Sequence, residues 1–395
     1  MAVEATAELA AEVETEGMRA QRRRGLFFVG LAAGAVGFAM TSQLALNANF
    51  VGTEMGLSGL QQGILETFRE SCGIMALGLM ALLTGLAEPL IGAGMLVLLG
   101  VGLSAYAFVG DYFWLIVSSL VWSQGLHTWM PLPNSMALAL AEPGRAGRRL
   151  GQVTAAGAVG SATGLVVALV LHVWGGVTIR PLWLVAGAAA LVGSVACLGI
   201  PRRTRTRGPR LVIRREYALY YLLSFLEGWR KQIFVAFAGF LLVKQQGTPL
   251  KTMLILWITA QGIGWIISPI VGRIIDRVGE RPVLTAYYAS LSLLFIGYAQ
   301  IQNAYVLYGL FVADSVFFMC TMALTTYVNR IAPKSEHTAT LSMGVAVNHV
   351  AAVTMPLVGG GCCGIGWGIS GHSGSVRRWR RRASWRRCDC RAELA

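Results

Sequence analysis

Charged residues are scarce in this sequence. Asp, Glu, Lys and Arg make up 13% of its 395 residues, whereas hydrophobic residues make up 55%. The mean hydropathy is +0.59, and a single soluble core of this chain length cannot bury so much apolar surface. These values exclude an ordinary water-soluble globular protein and indicate an integral membrane protein.

Ten-residue segments of alternating polarity, the pattern of membrane β-barrel strands, are also lacking. The apolar runs instead extend for ~20 residues, the length that an α-helix needs to cross a bilayer. Because lipid cannot hydrogen-bond free backbone groups, we expect an all-α polytopic membrane protein. Eleven spans are predicted, at residues 26–46, 60–83, 90–109, 113–140, 152–174, 182–200, 217–243, 253–271, 283–301, 305–328 and 339–358.

Sequence motifs of enzymes are absent as well. The chain contains no HExxH zinc motif and no GxSxG nucleophile motif. Its seven cysteines lack zinc-ligand spacing, and Cys72 and Cys320 lie in apolar runs where we expect them to pack. We therefore expect no enzymatic activity, no cofactor and no bound metal. A channel is disfavoured because no repeated filter sequence occurs.

The basic residues predict how the chain is oriented. Cytoplasmic loops of membrane proteins retain Lys and Arg, and here such residues cluster on one side of the predicted spans, whereas only Arg180, Lys244 and Lys251 fall on the other. We therefore place the amino terminus in the cytoplasm and the chain in the plasma (inner) membrane. The formal net charge of +14 at pH 7 is better explained by topology and anionic lipid than by nucleic-acid binding.

Polar interruptions divide the chain into five parts. Residues 1–24 lack the apolar core of a signal sequence and are expected to form a cytosolic arm. Residues 25–200 hold six predicted spans, residues 201–216 form a basic cytoplasmic loop, and residues 217–360 hold five spans. Weak sequence echoes between the halves, at 136–150 and 322–341, favour a duplicated architecture.

The carboxyl-terminal residues 361–395 differ abruptly from the rest. They combine eight arginines with four of the seven cysteines and contain no twelfth apolar span. Two interpretations remain open. The tail stays cytoplasmic because the eleventh span is incomplete or re-entrant, or it is an out-of-frame translation that replaces a twelfth helix and leaves the protein defective. The sudden change in composition favours the second interpretation.

The segment 272–284, GRIIDRVGERPVL, joins the eighth and ninth spans. Glycine is followed by an Asp-Arg pair, a second glycine, a basic residue and an aliphatic residue, at Gly272, Asp276, Arg277, Gly279, Arg281 and Leu284. This pattern resembles the loop signature of the major facilitator superfamily. The equivalent loop in the first half, residues 84–94, lacks the Asp-Arg pair.

The resemblance implies a two-bundle fold, of whose twelve helices about eleven are present, and secondary transport of a small solute by a monomer. It also implies that residues 272–281 form a cytoplasmic gating loop. In that loop we expect Gly272 to let helix ends approach, Asp276 to cap a helix start and accept from arginines, and Gly279 to allow a sharp reversal.

The seventh span contains Glu227, Arg230 and Lys231 at positions i, i+3 and i+4, on one helix face. Glu227 lies ~15 Å along this span, close to the bilayer middle. A surplus positive charge facing lipid would cost ~3 kcal/mol or more, so the face must meet a wet cavity or another helix.

The second span repeats this spacing with Glu66, Arg69 and Glu70, and its surplus charge is negative. The family resemblance implies that this span lies against the eleventh, which carries Asn348 and His349, and that the seventh and tenth spans face the cavity. Asp314 on the tenth span is the natural counter-ion for Arg230 or Lys231. Weaker candidates are His127, Asn134 and Gln261.

These charges suggest a mechanism. Arg230 and Lys231 would attract an anionic or zwitterionic solute, while Glu227 or Asp314 exchanges a proton, or another coupling ion is used, as the bundles rock. Structural clamps that hold helices in register are the alternative for both charge triads. Other functions left open are a multidrug efflux antiporter, suggested by Gly157, Gly160 and Gly164 in the fifth span, and a non-transporting relative.

Overall fold

The computed structural model describes residues 2–142, 145–202, 213–333 and 336–366. Most residues in these ranges are helical, as the composition predicts. The α-helices are α1 (Ala2–Asn49), α2 (Gly59–Leu82), α3 (Glu88–Ala105), α4 (Tyr112–Trp129), α5 (Leu132–Ala139), α6 (Ala146–Val173), α7 (Ile179–Leu198), α8 (Ala218–Gln232), α9 (Gly239–Gln246), α10 (Leu250–Val278), α11 (Glu280–Gln300), α12 (Ala304–Phe317), α13 (Met322–Ile331) and α14 (His337–Gly366). Residues 367–395, most of the tail that we predicted to be aberrant, lie outside the described residues.

Within the described residues, eight helical segments are long and apolar enough to cross a membrane by length and composition. The other three predicted spans are also helical but contain charges or interruptions. Helix α2 carries a charge triad, Pro131 separates α4 from α5, and the π-helical segment Ile233–Ala238 separates α8 from α9. The all-helical membrane class is confirmed, while the number of eleven crossings stays a prediction.

The helices pack as two groups. In the first half, α1 lies along α6 and α7, and α3 contacts α4 and α7. In the second half, α10 contacts α11 and α12, while α8 lies against α14. We call these groups the first bundle (α1–α7) and the second bundle (α8–α14). They meet mainly where α2 packs against α14 and where α6 packs against α10.

Glycines allow α1 and α6 to approach until their backbones touch. A Cβ atom placed on Gly160 would lie 1.9 Å from the carbonyl oxygen of Gly34, and one on Gly164 would lie 2.5 Å from that of Phe38. Neither carbonyl belongs to a side chain that can move away. The glycine pattern of the fifth predicted span therefore serves helix packing in this structure, as small residues commonly do in membrane helices.

The bundles are closed at one end of the molecule. There the Asn49 side chain donates from Nδ2 to the Thr248 carbonyl oxygen at 2.9 Å, and the Lys244 ammonium donates to the Gly52 carbonyl oxygen at 3.2 Å. Leu250 and Leu254 of α10 are buried in the core of the first bundle. We call this the closed end; the opposite end, where α7 ends and α8 begins, is called the loop end.

The predicted gating loop is a short turn at the loop end, and the structure corrects two of its expected roles. Gly279 has φ +84° and links α10 directly to α11, so the predicted sharp reversal is present. Asp276 does not cap α11, because it lies within the last turn of α10 and no side chain caps α11. No neighbouring helix end lies close to Gly272, since a Cβ there would meet no atom within 4 Å.

A different carboxylate accepts from an arginine at this turn. Glu280, the first residue of α11, is buried, and its Oε2 lies 3.0 Å from Nη2 of Arg330 near the end of α13. A carboxylate in the first turn also interacts favourably with the helix dipole. Arg277 and Arg281 are exposed. In this structure the arginine contact that we expected at Asp276 is made by Glu280, four positions further along the chain.

Candidate functional site

The triad on α2 is buried and largely self-neutralised. Arg69 forms an ion pair with the Glu66 carboxylate, and its Nη2 lies 3.8 Å from Oε1 of Glu70. The spacing of three and four residues puts these side chains on one face of the helix. The Arg69 guanidinium also lies over the Trp122 ring of α4, with 5.5 Å between Cζ and the ring centroid. A cation–π contact of this kind is stronger where water is excluded.

A polar contact joins this triad to the second bundle. Gln62, one turn before Glu66, donates from Nε2 to Oε1 of Glu66 at 3.1 Å and to the Ala236 carbonyl oxygen at 3.2 Å. Ala236 belongs to the π-helical segment of the second bundle, where the ordinary helix ladder is broken. Gln62 therefore connects the α2 triad to the π-helical segment that follows α8.

The triad on α8 divides into two environments. Arg230 is buried and faces two carboxylates: its Nη2 lies 3.4 Å from Oδ1 of Asp314, and its Nε lies 3.7 Å from Oε1 of Glu227. Tyr287 of α11 donates from its hydroxyl to both Glu227 oxygens, at 2.8 and 3.0 Å. The sequence predicted Asp314 as the counter-ion of Arg230 or Lys231, and in the structure its carboxylate faces Arg230.

Lys231 points the other way, towards the first bundle. Its Nζ lies 3.7 Å from Oε2 of Glu70, and its side chain is 27% exposed, whereas that of Arg230 is 5% exposed. His349 of α14 approaches the same Glu70 oxygen, with 3.6 Å between Nδ1 and Oε2. Glu70 is thus the carboxylate of the first bundle that meets two basic side chains of the second.

His127 completes this contact between bundles. Its ring lies 4.9 Å from the His349 ring, centroid to centroid, in an edge-to-face arrangement. Its Nδ1 lies 2.9 Å from the Ser123 carbonyl oxygen, and the Ser123 hydroxyl donates to the Arg69 carbonyl oxygen at 2.7 Å. Glu70, His127 and His349 can each offer a metal-ligand atom, with all three atoms within 4.8 Å of one another.

These side chains surround a cavity of about 470 Å³ between the bundles. Its walls come from α1, α2, α4, α8, α13 and α14, and mostly from the halves of those helices nearer the loop end. The polar residues of the wall are Gln43, Arg69, Glu70, His127, Tyr220, Ser224, Glu227, Lys231, Thr321, Thr325, Asn348 and His349. Since the closed end is sealed by direct contacts, the cavity is reached from the loop end.

The remaining predicted residues fall in different places. Asn348 lines the cavity and donates from Nδ2 to the Ser224 carbonyl oxygen at 3.2 Å, so it also ties α14 to α8. Asn134 and Gln261, two weaker candidates, do not line the cavity, whereas His127, the third, does. Sequence reasoning missed Gln62 and Tyr287. Gln62 stands one helical turn before Glu66, a spacing that could have identified it.

The cluster carries more negative than positive charge when all its carboxylates and cations are ionised and its histidines are neutral. The negative residues are Glu66, Glu70, Glu227 and Asp314, and the positive residues are Arg69, Arg230 and Lys231. Four carboxylates against three cations leave one unneutralised negative charge in a buried region. One proton, or one cationic group of a guest, would balance it.

The architecture and the sequence agree on a family. Residues 25–356 match the family model described as Major Facilitator Superfamily, and the chain belongs to this family of membrane transporters. Comparison with curated protein sequences finds no significant match. The chain is therefore an integral, multi-pass membrane protein whose family transports small solutes rather than catalysing reactions.

Solved transporter structures share this fold at low sequence identity. The nucleoside transporter NupG has a TM-score of 0.72 and 13% identity, over 86% of this chain and 91% of that chain. A bacterial homologue of the human lysosomal transporter Spinster, in an inward-facing and unoccupied conformation, has a TM-score of 0.65 and 13% identity, over 87% of this chain and 81% of its own.

A transporter of the POT family is a third similar structure. Solved in complex with 5-aminolevulinic acid, it has a TM-score of 0.67 and 10% identity, over 87% of this chain and 91% of that chain. At these identities the similarity establishes the fold and not the solute.

Proposed function

We propose that this protein transports a small solute with an anionic or zwitterionic group by alternating access, coupled to protons. The single observation that carries the proposal is the environment of Lys231. The buried Arg69 and Arg230 each face two carboxylates, whereas Lys231 faces the cavity, partly exposed, and meets the carboxylate of Glu70 across the bundle interface. Lys231 can therefore accept an anionic guest without leaving another cation unpaired.

Exchange of partners at Lys231 gives the solute a way to influence the interface. A carboxylate that enters the cavity can take the place of Glu70 beside Lys231, which loosens a contact between the bundles. A zwitterion would in addition find a negatively charged wall residue in Glu227. Opposite charges at close range in a cavity of limited solvent access attract more strongly than in bulk water.

The proton is assigned to the pair of carboxylates beside Arg230. Glu227 and Asp314 share one guanidinium, which can neutralise one of them. Two ionised carboxylates at one buried cation are unfavourable, so a proton on either residue would balance the site. Occupation by a proton on one side of the membrane and its release on the other would link solute movement to a proton gradient.

The distribution of basic residues supports a cytoplasmic position for the loop end. The conformation described above would then be inward-facing, with the cavity open to the cytoplasm and the closed end outside. The match to an inward-facing solved structure is in keeping with this orientation. The plasma membrane of the cell is the proposed location.

Flux measurements in proteoliposomes test the proposal. The full chain is reconstituted, a pH gradient is imposed, and uptake of radiolabelled monocarboxylates, amino acids and short peptides is recorded. We expect accumulation driven by the gradient and abolished by an uncoupler. Lys231→Ala should reduce it at least tenfold, since loss of a paired charge in a buried interface costs about 2–5 kcal/mol.

Lys251→Ala is the matched control. Lys251 is an exposed lysine at the start of α10, and its substitution removes the same charge far from the cavity. It should transport as the unmodified protein does. Undiminished uptake by Lys231→Ala would contradict the role of Lys231 in solute binding. Uptake of equal size with and without the pH gradient would contradict proton coupling but not the role of Lys231 in solute binding.

A further inference from the structure

One carboxylate and two imidazoles converge where the bundles meet. Glu70 of α2, His127 of α4 and His349 of α14 offer ligand atoms within 4.8 Å of one another, and Oε2 of Glu70 is already 3.6 Å from Nδ1 of His349. A tetrahedral metal ion with bonds of about 2.0–2.2 Å holds its ligands roughly 3.3 Å apart. Side-chain movements of about an ångström would therefore bring the three atoms to bonding positions.

We propose that Glu70, His127 and His349 bind one divalent transition-metal ion, such as Zn²⁺, and that this ion links the two bundles. Two histidines and one carboxylate are a ligand set that Zn²⁺ uses while keeping a fourth position open. Mg²⁺ and Ca²⁺ prefer oxygen ligands, so imidazoles select against them. The fourth position would face the cavity that all three residues line.

The hydrogen bonds of His127 prepare it as a ligand. A carbonyl oxygen can only accept, so Nδ1 of His127 must carry the hydrogen that it donates to the Ser123 carbonyl oxygen at 2.9 Å. The Ser123 hydroxyl uses its own hydrogen on the Arg69 carbonyl oxygen. Neutral His127 therefore has its lone pair on Nε2. A backbone carbonyl that fixes the tautomer in this way is the usual partner of a metal-binding histidine.

His349 lies beside Glu70, with 3.6 Å between Nδ1 and Oε2, too far for a hydrogen bond. Within the described residues, Nδ1 of His349 and Oε2 of Glu70 are buried and make no hydrogen bond, and the contacts of this Glu70 oxygen with Lys231 and His349 are longer, at 3.7 and 3.6 Å. Buried polar atoms without partners are uncommon and require an explanation. Gly73, one turn after Glu70, makes space for the ring, since a Cβ there would lie 2.3 Å from Nδ1 of His349.

The charges around the site can accommodate a cation. The surrounding cluster carries an unneutralised negative charge, as counted above, and a metal ion would supply positive charge beside Glu70. Lys231 is the competitor, because its Nζ lies 3.7 Å from the same Glu70 oxygen. Its side chain is partly exposed to the cavity and can move away. Metal binding and the Lys231–Glu70 ion pair are therefore alternatives at one carboxylate.

Metal binding would have a consequence for movement. Glu70 and His127 belong to the first bundle and His349 to the second, so the ion would fasten the bundles at their present separation. This inference concerns the metal site itself and does not depend on which solute the cavity accepts.

Direct binding measurements test the site without any solute. The purified full chain is titrated with Zn²⁺ by calorimetry, and its metal environment is recorded by X-ray absorption. We expect one ion bound with nitrogen and oxygen neighbours at about 2.0–2.1 Å, distinct from the ~2.3 Å of a cysteine sulfur. His127→Ala, His349→Ala and Glu70→Gln should each weaken this binding at least tenfold.

Two further variants separate loss of the site from misfolding. Gly73→Ala keeps all three ligands but displaces the His349 ring, and it should weaken binding. Lys231→Ala removes the competing cation and should strengthen binding severalfold, a gain that a misfolded protein would not show. His172→Ala, on α6 where His172 contacts the Val177 carbonyl oxygen, is the control and should bind as the unmodified chain does.

The proposal is overturned if the unmodified chain binds no stoichiometric Zn²⁺, or if its zinc neighbours are sulfur only. It is equally overturned if the double variant His127→Ala and His349→Ala binds with the original affinity. Failure here would leave the transport proposal untouched, since that proposal is tested by solute flux and not by metal binding.

Discussion

Arg230 shows how a guanidinium can be accommodated deep between helices. Two carboxylates approach it, the Tyr287 ring lies 5.7 Å and the Phe318 ring 5.1 Å from its Cζ atom, and 4% of the residue is exposed. Each partner reduces the cost of removing the charge from water. Because removal of one partner leaves an uncompensated buried charge, substitutions here are expected to cost about 3–5 kcal/mol.

Tyr287→Phe is the most selective change at this site. It deletes only the hydroxyl that donates to both Glu227 oxygens, and a hydrogen bond to a charged group contributes about 1.5–3 kcal/mol. We expect the variant to unfold at a temperature several degrees lower than the unmodified protein, as measured by a thermal shift in detergent.

Tyr288→Phe provides the control at the next position. The Tyr288 hydroxyl is buried and makes no hydrogen bond within the described residues, so its removal should not lower the unfolding temperature. An equal loss for both variants would mean that the Tyr287 hydroxyl does not stabilise Glu227.

Sequence spacing predicted the membership of the charged cluster but not all of its pairs. Charges at i, i+3 and i+4 on two apolar helices must be buried against polar groups or water. This requirement identified both triads and suggested Asp314 as a counter-ion. The pairing of Lys231 with Glu70 depends on how the bundles meet, and no local pattern encodes it. Tyr287 was missed because a tyrosine in an apolar run gives no sign that its hydroxyl reaches a distant carboxylate.

At the scale of helices, the contact between α1 and α6 depends on glycines, which have no side chain to separate the two backbones. Gly160→Ala would place a Cβ atom 1.9 Å from the Gly34 carbonyl oxygen, so the helices must separate. We expect a loss of about 1–3 kcal/mol, the usual cost of overpacking. Gly151→Ala in the same helix meets no atom within 4 Å and should be neutral or stabilise by about 0.5–1 kcal/mol.

Thermal unfolding of these two alanine variants measures the difference. If Gly160→Ala unfolds at the same temperature as Gly151→Ala, the close backbone contact between α1 and α6 is not required for stability.

Glu142, which follows α5, and Arg149, near the start of α6, form an ion pair outside the predicted apolar spans. Arg149 donates from Nη2 to both Glu142 oxygens, at 2.8 and 2.9 Å, and this lowers the pKa of the Glu142 carboxyl from its ordinary value of 4.5. A lowered pKa in the folded state means that the stabilisation is fully present above pH 4.5 and is lost as the pH falls through the lowered value.

A nitroxide label at exposed Gly147, on the first turn of α6, reports this loss. Its mobility in electron paramagnetic resonance should stay constant from neutral pH down to the ordinary carboxyl pKa of 4.5 and increase below it. Glu142→Gln should be mobile at every pH. Equal mobility of the two proteins at neutral pH would contradict a role for the pair in ordering the start of α6.

Hydropathy located the helices well but not their interruptions. All eleven predicted spans are helical, since burial of backbone groups in lipid leaves little alternative. The break at Pro131 follows from a missing amide hydrogen, so the sequence could have indicated it. The π-helical segment after α8 contains no proline or glycine, and it is associated with the tertiary contact from Gln62.

At the scale of the molecule, the sequence predicted the family from one loop motif, and the family match confirms it. The motif did not predict the present contacts of that loop. Gly272 meets open space and Asp276 is exposed in this structure.

The central claim is that the bundles rock about the buried charges, so that one end opens as the other closes. Pairs of spin labels in a background without native cysteines measure this directly. One pair, at exposed Thr53 and Gln245, spans the closed end, and the other, at exposed Leu138 and Arg277, spans the loop end.

Double electron–electron resonance measures the distances between these labels in liposomes while the pH is varied from neutral to acidic. These distances test whether the two ends open and close in alternation. The account predicts two distance populations for each pair, with the closed-end distance lengthening in the same conditions that shorten the loop-end distance. A single unchanging distance at both ends would contradict it.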